Sequence, residues 1–86
     1  MGRFSPLFTR SVAKDLRPTP KRDVARILKR IEGLADDPRP EGCEKLTDRE
    51  RYRIRQGDQR IVYEVQDDAR FVTVVKIAHR REAYRE

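Results

Sequence analysis

The stretch Arg51-Tyr-Arg-Ile-Arg-Gln-Gly-Asp-Gln-Arg-Ile-Val-Tyr-Glu-Val65 constrains the fold more than any other part of the chain. Its alternation of basic and apolar residues is interrupted by Gly57-Asp58, a pair suited to a two-residue type II′ hairpin turn with glycine first. A two-residue loop sets the register of both strands. Gln56 then faces Gln59, Arg55 faces Arg60, Ile54 faces Ile61, Arg53 faces Val62, Tyr52 faces Tyr63 and Arg51 faces Glu64. Because side chains alternate along a strand, Tyr52, Ile54, Ile61 and Tyr63 share one side of the sheet. Arg51, Arg53, Arg55 and Arg60 share the other.

Like charges directly opposite one another, as Arg55 and Arg60 are in this register, cost on the order of 0.2–1 kcal/mol. An anion between the two guanidinium groups removes that cost, and a phosphate suits their planar forks. The plainer alternative is a solvated outer face on which Arg51 pairs with Glu64. The clustering of arginines favours the phosphate reading.

Charge points the same way. The chain has 86 residues, with 21 Lys and Arg against 15 Asp and Glu, for a formal charge of +6. That bias favours anionic partners, nucleic acid first and an acidic protein second. The length fits one domain with a modest core, burying a little over ~60% of the surface of the unfolded chain. A single cysteine, Cys43, forms no intrachain disulfide, and with the lone His79 it falls short of the four ligands of a structural zinc site. No apolar run approaches the roughly 20 residues of a membrane span, and the N-terminus lacks a signal peptide's apolar core, so a soluble cytoplasmic protein is expected.

Along the chain, residues 4–8 read as a short strand that Pro6 restricts to an edge position or an irregular one. Thr9 can cap a short helix over residues 10–16, with Val12 and Leu16 on one face, which Arg17-Pro18 ends. Thr19 as N-cap and Pro20 at the first helical position start a second helix. There Val24, Ile27, Leu28, Ile31, Leu34 and Ala35 form an apolar stripe, opposite a basic, solvated side of Lys21, Arg22, Arg26, Lys29 and Arg30. Asp36-Asp37-Pro38 stops this helix and a loop leads through Gly42 to an extended stretch over residues 43–46.

After the hairpin, Asp67-Asp68-Ala69 reads as a turn, and residues 71–78 as a central strand rich in β-branched residues. A three-residue loop, the register expected here, puts Lys76 opposite Arg60 on the cationic face, whereas a two-residue loop turns it into the core. Arg80 has the parity of Lys76, while His79 has the opposite parity. The expected architecture is α+β: an antiparallel four-stranded sheet in the order β-α-α-β-β-β, with both helices on one face and the arginines on an open one.

The chain contains no Ser-His-Asp set, paired-carboxylate signature, P-loop or metal-ligand run, so no metal or cofactor is expected. RNA can be cut without a metal when the neighbouring 2′-hydroxyl attacks the phosphate. One group must take its proton, another must stabilise the added negative charge, and a third must protonate the leaving oxygen. Arginine suits the second task and is a poor proton-transfer group, its pKa being above about 12.

Over nearly its whole length the chain resembles the RelE-like toxins of type II toxin–antitoxin systems. The resemblance is strongest over Tyr52-Arg-Ile-Arg-Gln-Gly-Asp-Gln-Arg-Ile-Val-Tyr63 and Val75-Lys-Ile-Ala-His-Arg-Arg-Glu-Ala-Tyr84. It implies a ribosome-dependent endonuclease that cuts mRNA in the A site of the small subunit and leaves a 2′,3′-cyclic phosphate. Arg60 then contacts the scissile phosphate, Arg80 is the proposed general acid and Tyr84 stacks on the substrate. Arg53 and Arg55 stand where the best-known members have lysines, which leaves the general base unassigned. Arg51, Lys76 and His79 are expected to contact substrate; for His79, packing at the strand end is an equal alternative. Two other functions fit the same residues: a ParE-like toxin that binds gyrase without cutting RNA, and a basic adaptor that merely binds RNA or an acidic peptide. The resemblance also implies a cognate antitoxin partner in a hetero-oligomer, docked on the helix pair and the open sheet edges.

Overall fold

The computed structural model describes residues 3–46 and 50–79. Seven elements follow one another: β1 (Ser5–Phe8), α1 (Arg10–Leu16), α2 (Lys21–Asp36), β2 (Glu44–Lys45), β3 (Arg51–Gln56), β4 (Gln59–Gln66) and β5 (Phe71–His79). The strands form one sheet in the order β1-β5-β4-β3-β2. The α+β class is as expected, with two corrections. The stretch after Gly42 pairs with β3 as a fifth strand, Glu44 opposite Arg53 and Lys45 opposite Tyr52. The sheet is also mixed, because β1 runs parallel to β5. Pro6 is tolerated there because β1 is an edge strand.

The β3–β4 hairpin has all six expected cross-strand pairs. Gly57 takes φ +61, the left-handed region that the first position of a type II′ turn demands, and Asp58 stays at negative φ. The β4–β5 register departs from expectation twice. Its loop holds four residues, Gln66 pairing with Phe71, and Arg70 occupies φ 61 within it. A β-bulge at Val75 then shifts the ladder from Tyr63↔Val74 to Val62↔Lys76. Each one-residue departure alone reverses every later side chain, and together they cancel. Lys76 is thus opposite Val62 rather than Arg60, yet on the same face as Arg60.

Both helices lie on the other face. Val12 from α1 and Ile27, Ile31 and Leu34 from α2 close over Tyr52, Ile54, Ile61, Tyr63, Val72 and Val74. All are nearly inaccessible to water, and each such burial contributes roughly 1.5–3 kcal/mol. Of the anticipated α2 stripe, Val24 is half-buried and Leu28 is exposed. Helix α2 begins one residue later than its capping pattern suggested, with Pro20 at the N-cap. The Thr19 hydroxyl donates instead to the Asp15 carbonyl at the end of α1, 3.1 Å away, and so is lost to α2. The cationic face is not bare throughout: Val62 and Ala78 belong to it and are buried.

Candidate functional site

Three cross-strand rows make up the face away from the helices. The first runs Arg51, Glu64, Thr73; the second Glu44, Arg53, Val62, Lys76; the third, nearest the hairpin turn, Arg55, Arg60, Ala78. The four arginines come together because β3 and β4 alternate without interruption up to the turn.

Ion pairing separates these arginines into two kinds. Arg51 binds Glu64 through Nε at 3.0 Å and Nη2 at 2.6 Å. Arg53 donates through Nη2 to Glu44 at 2.8 Å, and this bond holds the Glu44 carboxyl below the usual carboxylate range. Among the described residues neither Arg55 nor Arg60 has a carboxylate in ion-pair contact; the field of both adds to the lowering at Glu44. Arg60 makes, among the described residues, only a long bond of 3.4 Å to the Gln59 carbonyl. Among the described residues, the unneutralised charge of the face is therefore concentrated at the pair whose like charges oppose one another.

Lys76 stands one row away, half-exposed, with Nζ 3.7 Å from Asp15 Oδ1. His79 pairs with Gln59 and has the parity of Ile77, which puts it on the helix side, away from the arginines. There it borders a hollow of about 340 Å³ with Lys14, Asp15 and Thr19. Arg80 and Tyr84 lie outside the described residues. Among those described, no group of three or more His, Cys, Asp or Glu side chains is placed to hold a metal ion. Nor is any helix long and apolar enough to cross a membrane.

Two acidic residues that reshape this face carry no sequence signal of doing so. Glu44 reaches Arg53 only because β2 joins the sheet, and Asp15 reaches Lys76 from a different element. On the helix side, the basic flank of α2 is more than a solvated surface. Arg26, Lys29 and Arg30 rim a groove of about 380 Å³ whose floor includes Leu34 and Pro40. The Arg30 Nε is buried there with no hydrogen-bond partner among the described residues.

The sequence matches the family described as ParE toxin of type II toxin-antitoxin system, parDE, over residues 3–84. The chain belongs to this family of toxins. Its fold is that of the wider RelE/ParE superfamily. It resembles the toxin of the archaeal RelE–RelB complex from Pyrococcus horikoshii with a TM-score of 0.79 and 26% identity, covering 93% of this chain and 97% of that one. The RelB–RelE complex of Methanococcus jannaschii gives 0.72 and 28%, covering 92% and 95%. A mutant of E. coli RelE in the free state gives 0.81 over 100% and 94%, and at 23% identity that likeness concerns the fold alone. No curated protein matches the chain.

Proposed function

We propose that this toxin is a ribosome-dependent mRNA endonuclease of the RelE kind, acting in the cytoplasm. The observation that carries the reading is the opposed pair Arg55 and Arg60, which alone on its face lacks carboxylate neutralisation among the described residues. Two guanidinium forks at cross-strand spacing, about 4.5–5.5 Å between Cβ atoms, suit the oxygens of one phosphate. In this reading the 2′-hydroxyl of the A-site nucleotide gives up its proton to water as its oxygen attacks phosphorus, the P–O5′ bond breaks and a 2′,3′-cyclic phosphate remains. Arg55 and Arg60 stabilise the charge that accumulates on the phosphoryl oxygens. Arg80 delivers a proton to the departing 5′-oxygen and Tyr84 stacks on a base. Arg51, Arg53 and Lys76 draw in the flanking phosphates. His79, exposed on the helix side, stays away from the substrate.

The partner that restrains such a toxin is an antitoxin, and the solved relatives include several RelE–RelB complexes. The α2 groove suits a segment that puts an apolar side chain over Leu34 and a carboxylate against Arg30.

One observation favours a second reading, a ParE-like toxin that acts on gyrase: the family match itself carries the ParE name. Primer extension on a defined mRNA separates the two. Cuts within the A-site codon that require ribosomes support the endonuclease. Their absence, with folded toxin free of antitoxin, moves the assignment to gyrase, where supercoiling assays take over.

A further inference from the structure

The β1 ladder ends where Phe8 meets Val74, so among the described residues the outer edge of β5 beyond that point has no strand beside it. Helix α1 takes over. The Thr9 N–H donates to the Val74 carbonyl at 3.1 Å. The hydroxyls of Thr9 and Ser11 both donate to the carbonyl of the bulged residue Val75, at 3.2 and 3.0 Å. One turn further on, the Ile77 N–H donates to Asp15 Oδ2 at 2.9 Å. The Thr9 hydroxyl makes no cap bond to its own helix, which is consistent with its use on β5. These side chains grip the backbone at the bulge that restores Lys76 to the cationic face.

Asp15 does more than satisfy an edge N–H. Its second oxygen lies 3.7 Å from the Lys76 ammonium, and its side chain is only 19% exposed. Among the described residues Lys76 is the only lysine on a face otherwise supplied by Arg51, Arg53, Arg55 and Arg60. Lysine is a compact charge on a flexible four-carbon stem and, unlike the arginine fork, is poorly preorganised by its own shape. At 3.7 Å the contact is looser than a tight charge-assisted bond of about 2.7–2.9 Å, so the ammonium is held near the face and can still move to a phosphate.

We propose that Asp15 is a positioning residue for the cationic site. One carboxylate oxygen fixes the bulged end of β5 and the other tethers the Lys76 ammonium at the outer edge of β5, one row from Arg60. The functional half of this inference rests on the proposed action on nucleic acid; the positional half does not.

The test is a double-mutant cycle on Asp15→Asn and Lys76→Ala. Asparagine keeps an acceptor for the Ile77 N–H and removes the negative charge facing Lys76. In Asp15→Asn, NMR should find the Ile77 amide as protected from exchange as before, while the order of the Lys76 side-chain methylenes falls. In A-site cleavage each single substitution should slow the rate by about 10-fold, in line with a small misplacement of a substrate-contacting group. The double variant should be no slower than Lys76→Ala alone, a comparison that stands even if Asp15→Asn costs some stability. Unchanged Lys76 order in Asp15→Asn overturns the positional half, and losses that multiply overturn the functional half. If the unsubstituted toxin makes no ribosome-dependent cuts, the endonuclease reading fails instead, and the cycle is read on growth arrest, where the same non-additivity is required.

Discussion

Arg39 grips Asp67 through two parallel hydrogen bonds, Nη1 to Oδ1 at 3.1 Å and Nη2 to Oδ2 at 2.8 Å, tying the loop after α2 to the β4–β5 turn. The same guanidinium donates through Nε to the Tyr52 hydroxyl at 2.8 Å and through Nη2 to Glu50, which also accepts from Tyr52 and Lys45. Arg39 holds the Asp67 carboxyl below its ordinary range. Arg39, with Tyr52 and Lys45, brings Glu50 down to about 2. Both carboxylates thus bind protons less readily in the folded chain than in the unfolded one. Their contribution to stability is complete above about pH 4.5 and is lost as the pH falls toward 2. Urea midpoints measured across that window should decline in the unsubstituted chain, by an amount that solvent screening of these exposed groups keeps small. Arg39→Ala should lower the midpoint at neutral pH and flatten the decline; an unaltered acid slope would show that the network does not couple to folding.

Tyr63 anchors the same loop from beneath. Its hydroxyl donates to the Pro38 carbonyl at 2.7 Å, and its side chain is fully buried, which pushes the phenol above its ordinary pKa. Tyr63→Phe keeps the ring and the stacking on Tyr52, whose centroid is 5.8 Å away, and deletes the hydroxyl with its bond to Pro38 and its contact with Cys43. The expected loss is about 1 kcal/mol, or roughly 4–8 °C in Tm for a domain of this size. Calorimetry of the purified variant checks it.

The β3–β4 hairpin was legible because everything that sets it is local: Gly57 at positive φ, a two-residue loop and unbroken alternation. The β4–β5 ladder was legible only in its result. Arg70 at φ 61 is not a glycine and gives no turn signal, and the bulge at Val75 lies inside an unremarkable β-branched run. The face of Lys76 came out as expected because two unforeseen irregularities cancel, not because either was read. Pairings across long sequence separation were invisible for a related reason. The parallel partner of β1, the contact of Glu44 with Arg53 and the reach of Asp15 to β5 all depend on tertiary placement, which carries no periodicity. Sequence therefore found the arginines and the pairing of Arg51 with Glu64, but not that Arg53 is neutralised as well.

That distinction makes Glu44 a brake on the cationic face. Glu44→Gln breaks its charged contact with Arg53 and leaves the strand pairing intact. If single-stranded RNA binds this face, the variant should bind more tightly at low salt. The slope of log affinity against log salt should steepen by about 0.7 for the one extra phosphate neutralised. Fluorescence anisotropy over a salt series measures both, and a slope that stays the same would place the RNA elsewhere.

Stability and function should move in opposite directions at Arg60. A residue kept for the fold loses stability when truncated, whereas removing one of two opposed like charges relieves a repulsion on the order of 0.2–1 kcal/mol. Its 3.4 Å bond to the Gln59 carbonyl is too long to offset much of that gain. Arg60→Ala should accordingly fold with an equal or slightly higher urea midpoint and lose growth arrest altogether. Arg80→Ala should lose it as well, and Tyr84→Ala should weaken it by less. An Arg60→Ala protein that unfolds would make the arginine structural, and one that stays fully toxic would remove the opposed pair from the site. Only a stable, inactive variant fits a guanidinium held against its neighbour for the sake of a phosphate.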